Sequence, residues 1–390
     1  MTVLEAPPSD HAPRVASADI EAFAIPGGRE EEWRFAPVGE LTSFMSLDPD
    51  AGSLTATDAD HVAVVDISAV SPTTWLPTDR PSAVALTGAR TAVNVRVADE
   101  EVVEAPIVVD LRGTAPTNYG YVDVRVGHHS KATVVLVHDA SVDVSGVMVT
   151  NVGEGADLTM LSVIDGPPER THLWQWHAEI GRDARFVGAA LTIGGRIVRI
   201  LPSVSYAAPG GSAELLGAFL ADAGQYLEHR IFVDHDQPHC SSRVVYKGAL
   251  SGAGSHTVWV GDVLVRRTAT GIDTYEMNRN LLLDDGPRAD SVPNLELETG
   301  DVASAGHASA TGRFDDEQLF YLQSRGIPER VARQLVVRGF FVDVLARIPS
   351  AEWRERVLTR IGQRLGMALE QHDEANDVIE AITGVAEERR

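Results

Sequence analysis

From about His61 to Gly312 the chain alternates. Short apolar runs recur, among them AVVDI, TAVNVRV, EAPIVVDL, YVDVRVG, TVVLVHD, GVMVTNVG, LTMLSVID and HLWQWHAEI, and Gly, Asp, Asn and Pro punctuate them. Apolar and polar positions exchanging at period two, in runs of this length, predict half-buried β-strands joined by tight turns. Helical spacing is scarce until Asp315, so the body is expected to be mainly β. A longer beat overlies the alternation. A turn followed by an alanine recurs at HSKAT, GEGAD, GRDAR and GGSAE, with Ala132, Ala156, Ala184 and Ala213 spaced 24, 28 and 29 positions apart. Such a beat suits the coils of a β-solenoid, each burying its inward residues against its neighbours. A sandwich would instead show turns every 8–12 residues or so.

Outside this body the pattern changes. Residues 1 to about 16 are Pro-rich and polar. A short helix is expected at Ser17–Phe23, and the run GREEEWRFAPVGEL reads as helix-prone, with Trp33 and Phe35 anchoring it on the core. The stretch Asp48–Asp60 reads as loop. Beyond Gly312 the spacing turns helical: Asp315 and Gln318 suit a capping box, Gly326 a stop, and Pro328 the first turn of a helix running to Ile348. That helix carries two apolar stripes, Val331/Leu335/Val342/Leu345 and Ala332/Val336/Phe340/Val344, for which core burial is the default reading and partner docking the rival. A third helix is expected from Ser350 to about Gln371, and the acidic end EANDVIEAITGVAEERR reads as helical, then frayed. The expected organisation is an N-terminal flexible and helical region over 1–60, a β-helix core over 61–312 and a C-terminal helical domain over 313–390.

Composition narrows the function. A net charge of -23 over 390 residues disfavours nucleic-acid and anionic-membrane partners. The single cysteine, Cys240, excludes an internal disulfide and any cluster built from this chain's thiolates alone. No apolar run reaches membrane-span length and no signal-peptide core is present, so a cytoplasmic protein is expected. The chain lacks GxxxxGK[ST], hence an ATP site of its own, and GxSxG and HExxH are absent too. No residue set selects a catalytic role, and the chain is not expected to be an enzyme.

The histidines are the candidate chemistry. His229, Asp234, His235, Asp236, His239 and Cys240 cluster in sequence, but strand-like flanks and Pro238 argue against a helical pair of ligands. On a strand His235 and His239 would stand about 13 Å apart. Polar turn residues and a buried thiol are the expected reading. His128 and His129 read as turn residues, and the histidines flanking Trp174 and Trp176 as packing. His307 differs: it lies in ASAGHASATG, read as a loop of small residues between the last strand and the first C-terminal helix, where an imidazole stays exposed and free to bind.

Several stretches together resemble the SufB/SufD family of the SUF iron–sulfur cluster assembly machinery, on its SufD side: REEEWRFAP, PHCSSRVVYKG, TYEMNRNLLLDDGPRADSVPNLELETGDV and GHASATGRFDDEQLFYLQSRGI. SufB-like chains carry a CGAHTFPY-type motif where this one reads ADSVPNLELE, and EHEATTS where it reads GHASATG. The resemblance implies a right-handed parallel β-helix with helical regions at both ends. It also implies pairing with SufB through the β-helix, docking of the ATPase SufC through the C-terminal helices around Phe340 and Phe341, and homodimers in isolation. The family's interface histidine carries over to His307, as the residue for metal and for a transient iron–sulfur cluster held with SufB. Many SufD sequences read KCSHGAT there, whereas Ala303 to Gly306 contain no cysteine, so a neighbouring thiol role does not carry over. The rival readings are a SufB-like direct cluster scaffold, a structural adaptor without metal contact, and a polysaccharide-active β-helix enzyme. Scarce aromatics and the missing secretion signal disfavour the last.

Overall fold

A computed structural model describes residues 15–365 apart from 71, 72, 74 and 315. The strands β1 (Gly52–Thr55) and β2 (Val62–Asp66) and the helix α1 (Arg80–Gly88) precede β3 (Thr91–Val97), β4 (Ile107–Asp110) and the two-residue β5 (Arg112–Gly113). The regular spiral follows with β6 (Thr117–Val126), β7 (Lys131–Val137), β8 (Asp143–Val152), β9 (Asp157–Ile164), β10 (Thr171–Ile180), β11 (Arg185–Thr192) and β12 (Ile197–Tyr206). It continues with β13 (Ser212–Ala221), β14 (Tyr226–His235), β15 (Ser241–Leu250), β16 (His256–Val265), β17 (Ile272–Leu282), β18 (Arg288–Leu297) and β19 (Val302–Arg313). From β6 onward the even-numbered strands pair in parallel into one sheet and the odd-numbered into the other, and from β8 each strand lies beside the one two places earlier. The result is a parallel β-solenoid of about eight turns, as the repeat predicts.

The repeat has a structural cause at one corner of each coil. His129, Gly155, Asp183, Gly210, His239 and Gly271 all adopt positive φ there. In the first five of these coils the next residue is small, and the carbonyls of Ser130, Ala156, Ala184, Gly211 and Cys240 accept the ladder bonds from Asp157, Arg185, Ser212, Ser241 and Asp273; in the last, Gly271 is followed by the buried Ile272. Ala156 and Ala184 therefore share one column, whereas Ala132 and Ala213 sit two positions later in their coils, also buried. Cys240 occupies the small-residue column, only 1 % exposed, and burial pushes its thiol pKa up. A left-handed conformation costs a non-glycine residue on the order of 1 kcal/mol, which fits Asp and His at turns but no β-branched residue.

Most strands from β8 to β16 are buried on both faces rather than one. The inward alternates form the main core, including Trp174, Trp176, Phe186, Phe219, Tyr246 and Trp259. The outer face of the odd sheet is covered by α3 (Glu329–Leu345) and α4 (Ala351–Arg364), following α2 (Asp316–Ser324). The outer face of the even sheet is covered by α1 and by the N-terminal segment. Trp33 packs there against Leu173, Ile197, Tyr226 and Val258. Arg199 fastens this strap. It is buried, lies 4.0 Å from the centroid of the Trp33 ring, bonds Asp79 at 2.6 Å and Glu228 at 3.0 Å, and donates to the Glu32 carbonyl.

Several expectations change. The run around Trp33 is not an α-helix but turns followed by 3-10 segments at Val38–Glu40 and Thr42–Phe44, and Ser17–Phe23 contains only a 3-10 turn at Ile20–Ala22. The segment read as loop over Asp48–Asp60 holds β1, which pairs with β6, and α1 is a helix within the region expected to be mainly β. In α3 the buried residues are Val331, Ala332, Val337, Phe341, Val344 and Leu345, and the helix stops at Leu345 rather than Ile348. Phe341 is 0 % exposed against the odd sheet, so it is core and not a docking surface. The Asp315–Gln318 capping box and everything beyond Leu365 lie outside the described residues and side chains.

Candidate functional site at the open end of the solenoid

The interior of the solenoid changes character as it approaches its C-terminal end. One inward column of the odd sheet runs Val244, Glu276, His307, and the next Tyr246, Asn278, Ser309. Across the cavity, the Ser291 hydroxyl of β18 donates to Asn278 Oδ1 at 2.6 Å. The Asn280 amide donates to Asn278 Oδ1 at 2.8 Å, to Ser291 at 3.0 Å and to Thr311 at 3.4 Å. An apolar core thus gives way to a polar network within one coil. The covering layers thin out in parallel: β17 alternates between buried and accessible, and β18 and β19 contain no buried residue. These two strands are also the terminal members of their sheets, so each presents an unpaired edge of 10 and 12 residues. Such edges are templates for a further strand.

His307 stands on this edge. It is not in a loop, as its small neighbours suggest, but in the middle of β19, in register with Glu276. Alternation turns it toward the interior, yet no coil lies above it, and its side chain stays 45 % exposed. Its Nδ1 lies 3.7 Å from Glu276 Oε1. Glu276 is completely buried, and neither carboxylate oxygen has a hydrogen-bond partner. The carboxylate lies so close to Gly261 that a Cβ built there would fall 2.2 Å from Oε2, with Trp259 flanking the same spot. Burial first, and the nearby Asp262 charge second, push the Glu276 pKa up to about 8; the Asn294 backbone N–H opposes this from outside hydrogen-bonding geometry. Asp262 itself accepts from Asn294 Nδ2 at 2.7 Å.

His229, His235, His239, His172 and His177 are not brought to this end, whereas His256 reaches it, with Nε2 2.7 Å from Asp290 Oδ2 on β18. His229 and His235 lie on β14 with their rings inside the solenoid, stacked on Phe219 and Tyr206 respectively, so they are core residues and not turn residues. His239 is the left-handed corner residue, and Asp234 pairs with Arg266. His172 and the two tryptophans face inward, whereas His177 faces outward and stacks on Trp75 at 5.6 Å. Cys240 sits four residues before the His307 column and two coils below it, roughly 16 Å away by strand and sheet spacing. Among the described residues no group of three or more His, Cys, Asp or Glu could enclose a metal ion; His307 and Glu276 stand as a pair.

The residue overlooked in the sequence is Glu276. In TYEMNRNL one alternate set is Thr274, Glu276, Asn278 and Asn280, the other Tyr275, Met277, Arg279 and Leu281. The polar set faces inward. An all-polar alternate in line with apolar inward columns is the signal, visible only once the register is known.

No helix among the described residues is long and apolar enough to cross a membrane. Residues 111–340 match the family model described as SUF system FeS cluster assembly, SufBD core domain. The chain is 45 % identical over 369 residues to the iron-sulfur cluster assembly SufBD family protein Mb1497 of Mycobacterium bovis, an alignment covering 90 % of this chain and 92 % of that protein. It is 27 % identical over 231 residues to the iron-sulfur cluster assembly protein SufD of Escherichia coli, covering 59 % and 54 % of the two chains. It is also 27 % identical over 171 residues to the chloroplastic protein ABCI7 of Arabidopsis thaliana, covering 44 % and 36 %. With the matched core spanning more than half of the sequence and the parallel solenoid on which the family model falls, the chain belongs to the SufBD family of iron–sulfur cluster assembly proteins.

Proposed function

We propose that this chain is a SufD-like, non-catalytic scaffold subunit in the cytoplasm. It pairs with a SufB-type partner through the open end of its solenoid and presents His307 to iron or a nascent cluster held between the two. The observation that carries this reading is the placement of His307: an exposed imidazole on a terminal strand, flanked by unpaired edges that a partner's strands can extend. Imidazole is a competent iron ligand, and a partner's thiolates complete a coordination sphere that this chain alone leaves unfinished. ATP hydrolysis falls to a separate SufC-type subunit. The exposed apolar residues of the C-terminal helices, Phe320 at 71 %, Tyr321 at 52 % and Val342 at 43 %, are the candidate contacts for it.

The test is co-purification of the chain with the partners it finds in its own cell, identified by mass spectrometry and assayed for iron and acid-labile sulfide. His307→Ala is expected to leave the assembly intact and to reduce its iron and sulfide content. If the variant complex loads both as the wild type does, His307 is structural and the adaptor reading, without metal contact, takes its place.

A further inference from the structure

We propose that Glu276 is a second metal donor: its carboxylate and the His307 imidazole form a two-donor pincer for a divalent first-row transition-metal ion at the open end of the solenoid. This rests on the reading of His307 as a metal-holding residue and adds a donor from the coil beneath it. The separation of the two groups is the first argument. At 3.7 Å they stand too far apart for a hydrogen bond, which needs about 2.7–3.2 Å. Two donors each about 2.1 Å from a shared tetrahedral ion stand about 3.4 Å apart, so an ion fits between them with a shift of a few tenths of an ångström.

The second argument is the state of Glu276. A buried carboxylate is normally matched by a cation or by several donors, because leaving it unmatched forfeits its hydration with nothing in return. Glu276 is fully buried with both oxygens unpartnered, and the nearby Asp262 carries a charge of the same sign. Packing does not require an acid there, since one coil below the same column holds Val244. The carboxylate is fixed by the Trp259 ring and the bare backbone of Gly261, and the direction left to it is toward His307 and the open end. A dication supplies the missing charge, and the half-exposed imidazole above supplies the entry.

The third argument is the donor set. One imidazole and one carboxylate suit Fe(II), Mn(II), Co(II) or Zn(II), and they leave two to four positions for water or for a partner's side chains. No third His, Cys, Asp or Glu among the described residues closes the site, which keeps it open for transfer.

The test uses the purified full chain without an affinity tag, under anaerobic conditions, titrated with Fe(II) and with Co(II) in a calorimeter. The wild type is expected to bind one equivalent. His307→Ala, Glu276→Gln and Glu276→Met are each expected to weaken binding at least about tenfold. Thermal melts accompany each variant; Glu276→Met fills the same space with an apolar chain and is expected to melt no lower than the wild type. If His307→Ala weakens binding while both Glu276 variants bind as the wild type, the histidine reading stands and the Glu276 inference is overturned. If all three bind as the wild type, or the wild type binds neither metal, the pincer is wrong. In that case only the iron and sulfide content of the assembled complex can still support a role for His307.

Discussion

The interior of this solenoid should make the protein acid-labile in a way that one substitution can isolate. His229 lies wholly inside, its ring 4.9 Å from Phe219 and 5.7 Å from Tyr246, with Nε2 and the Thr192 hydroxyl hydrogen-bonded at 3.1 Å and Nδ1 unpartnered. Burial there disfavours the imidazolium and pulls the pKa down to about 3. In the unfolded chain the group titrates near 6.5. Below about pH 6.5 the unfolded state therefore binds a proton that the folded state refuses. The stabilisation is fully present above pH 6.5 and is lost as the pH falls toward 3. At pH 5 the loss from His229 alone is about 2 kcal/mol, from 1.36 kcal/mol for each of about 1.5 pH units. His138 and His235, also near 3, and His172 and His177, near 4, are depressed by burial in the same sense. Five such groups together ask for about 10 kcal/mol at pH 5, comparable to the whole stability of an ordinary domain. The assay is urea unfolding of the wild type and of His229→Phe, followed by tryptophan fluorescence at pH 7.5 and pH 5.0. The variant carries a constant cost for the larger ring and the stranded Thr192 hydroxyl, which cancels in the comparison between the two pH values. Its loss of stability on acidification should be about 2 kcal/mol smaller than that of the wild type. Equal losses in the two proteins would refute the argument that His229 is held neutral by burial.

Three further outcomes follow from the layers that cover the solenoid. Arg199→Met leaves Asp79 buried without its cation and Glu228 with only Arg230 at 3.5 Å, and removes the partner of Trp33; it should cost about 3–5 kcal/mol and expose the segment around Trp33 to limited proteolysis before the solenoid itself is cut. On the C-terminal side, Phe341→Ala should lower stability by about 3–5 kcal/mol in a thermal or chemical melt, because the ring is entirely buried. Phe320→Asp combined with Tyr321→Asp should leave the melt unchanged yet reduce retention of an ATPase subunit in a pull-down; full retention would direct the search for the docking surface elsewhere.

The sequence by itself determined the class of the fold, because period-two alternation and tight-turn residues are local properties and each coil repeats them. It also carried a trace of the solenoid period, since most corners pair a residue tolerant of positive φ with a small one, as at Gly155–Ala156, Asp183–Ala184 and His239–Cys240. The family was legible in its motifs, and His307 was singled out before its surroundings were known. Other features were decided by tertiary structure. Whether REEEWRF forms a helix depended on Arg199, 166 positions beyond Trp33, which captures that ring and the Glu32 carbonyl in a non-helical strap. Whether Phe341 faced a partner or the core depended on which stripe of α3 met the odd sheet, and a helix with two apolar stripes does not specify that. His307 lay in a strand and not a loop because a register of parallel ladder bonds outweighed the weak β-propensity of its Gly, Ala and Ser neighbours. Glu276 was hidden for a related reason. Alternation tells that two faces exist but not which one is inside, and here Met277 and Leu281 pack outward beneath the C-terminal helices while the acid turns inward. Only the stacking of one coil on the next brought a buried carboxylate and an exposed imidazole, 31 residues apart in the chain, to within 3.7 Å.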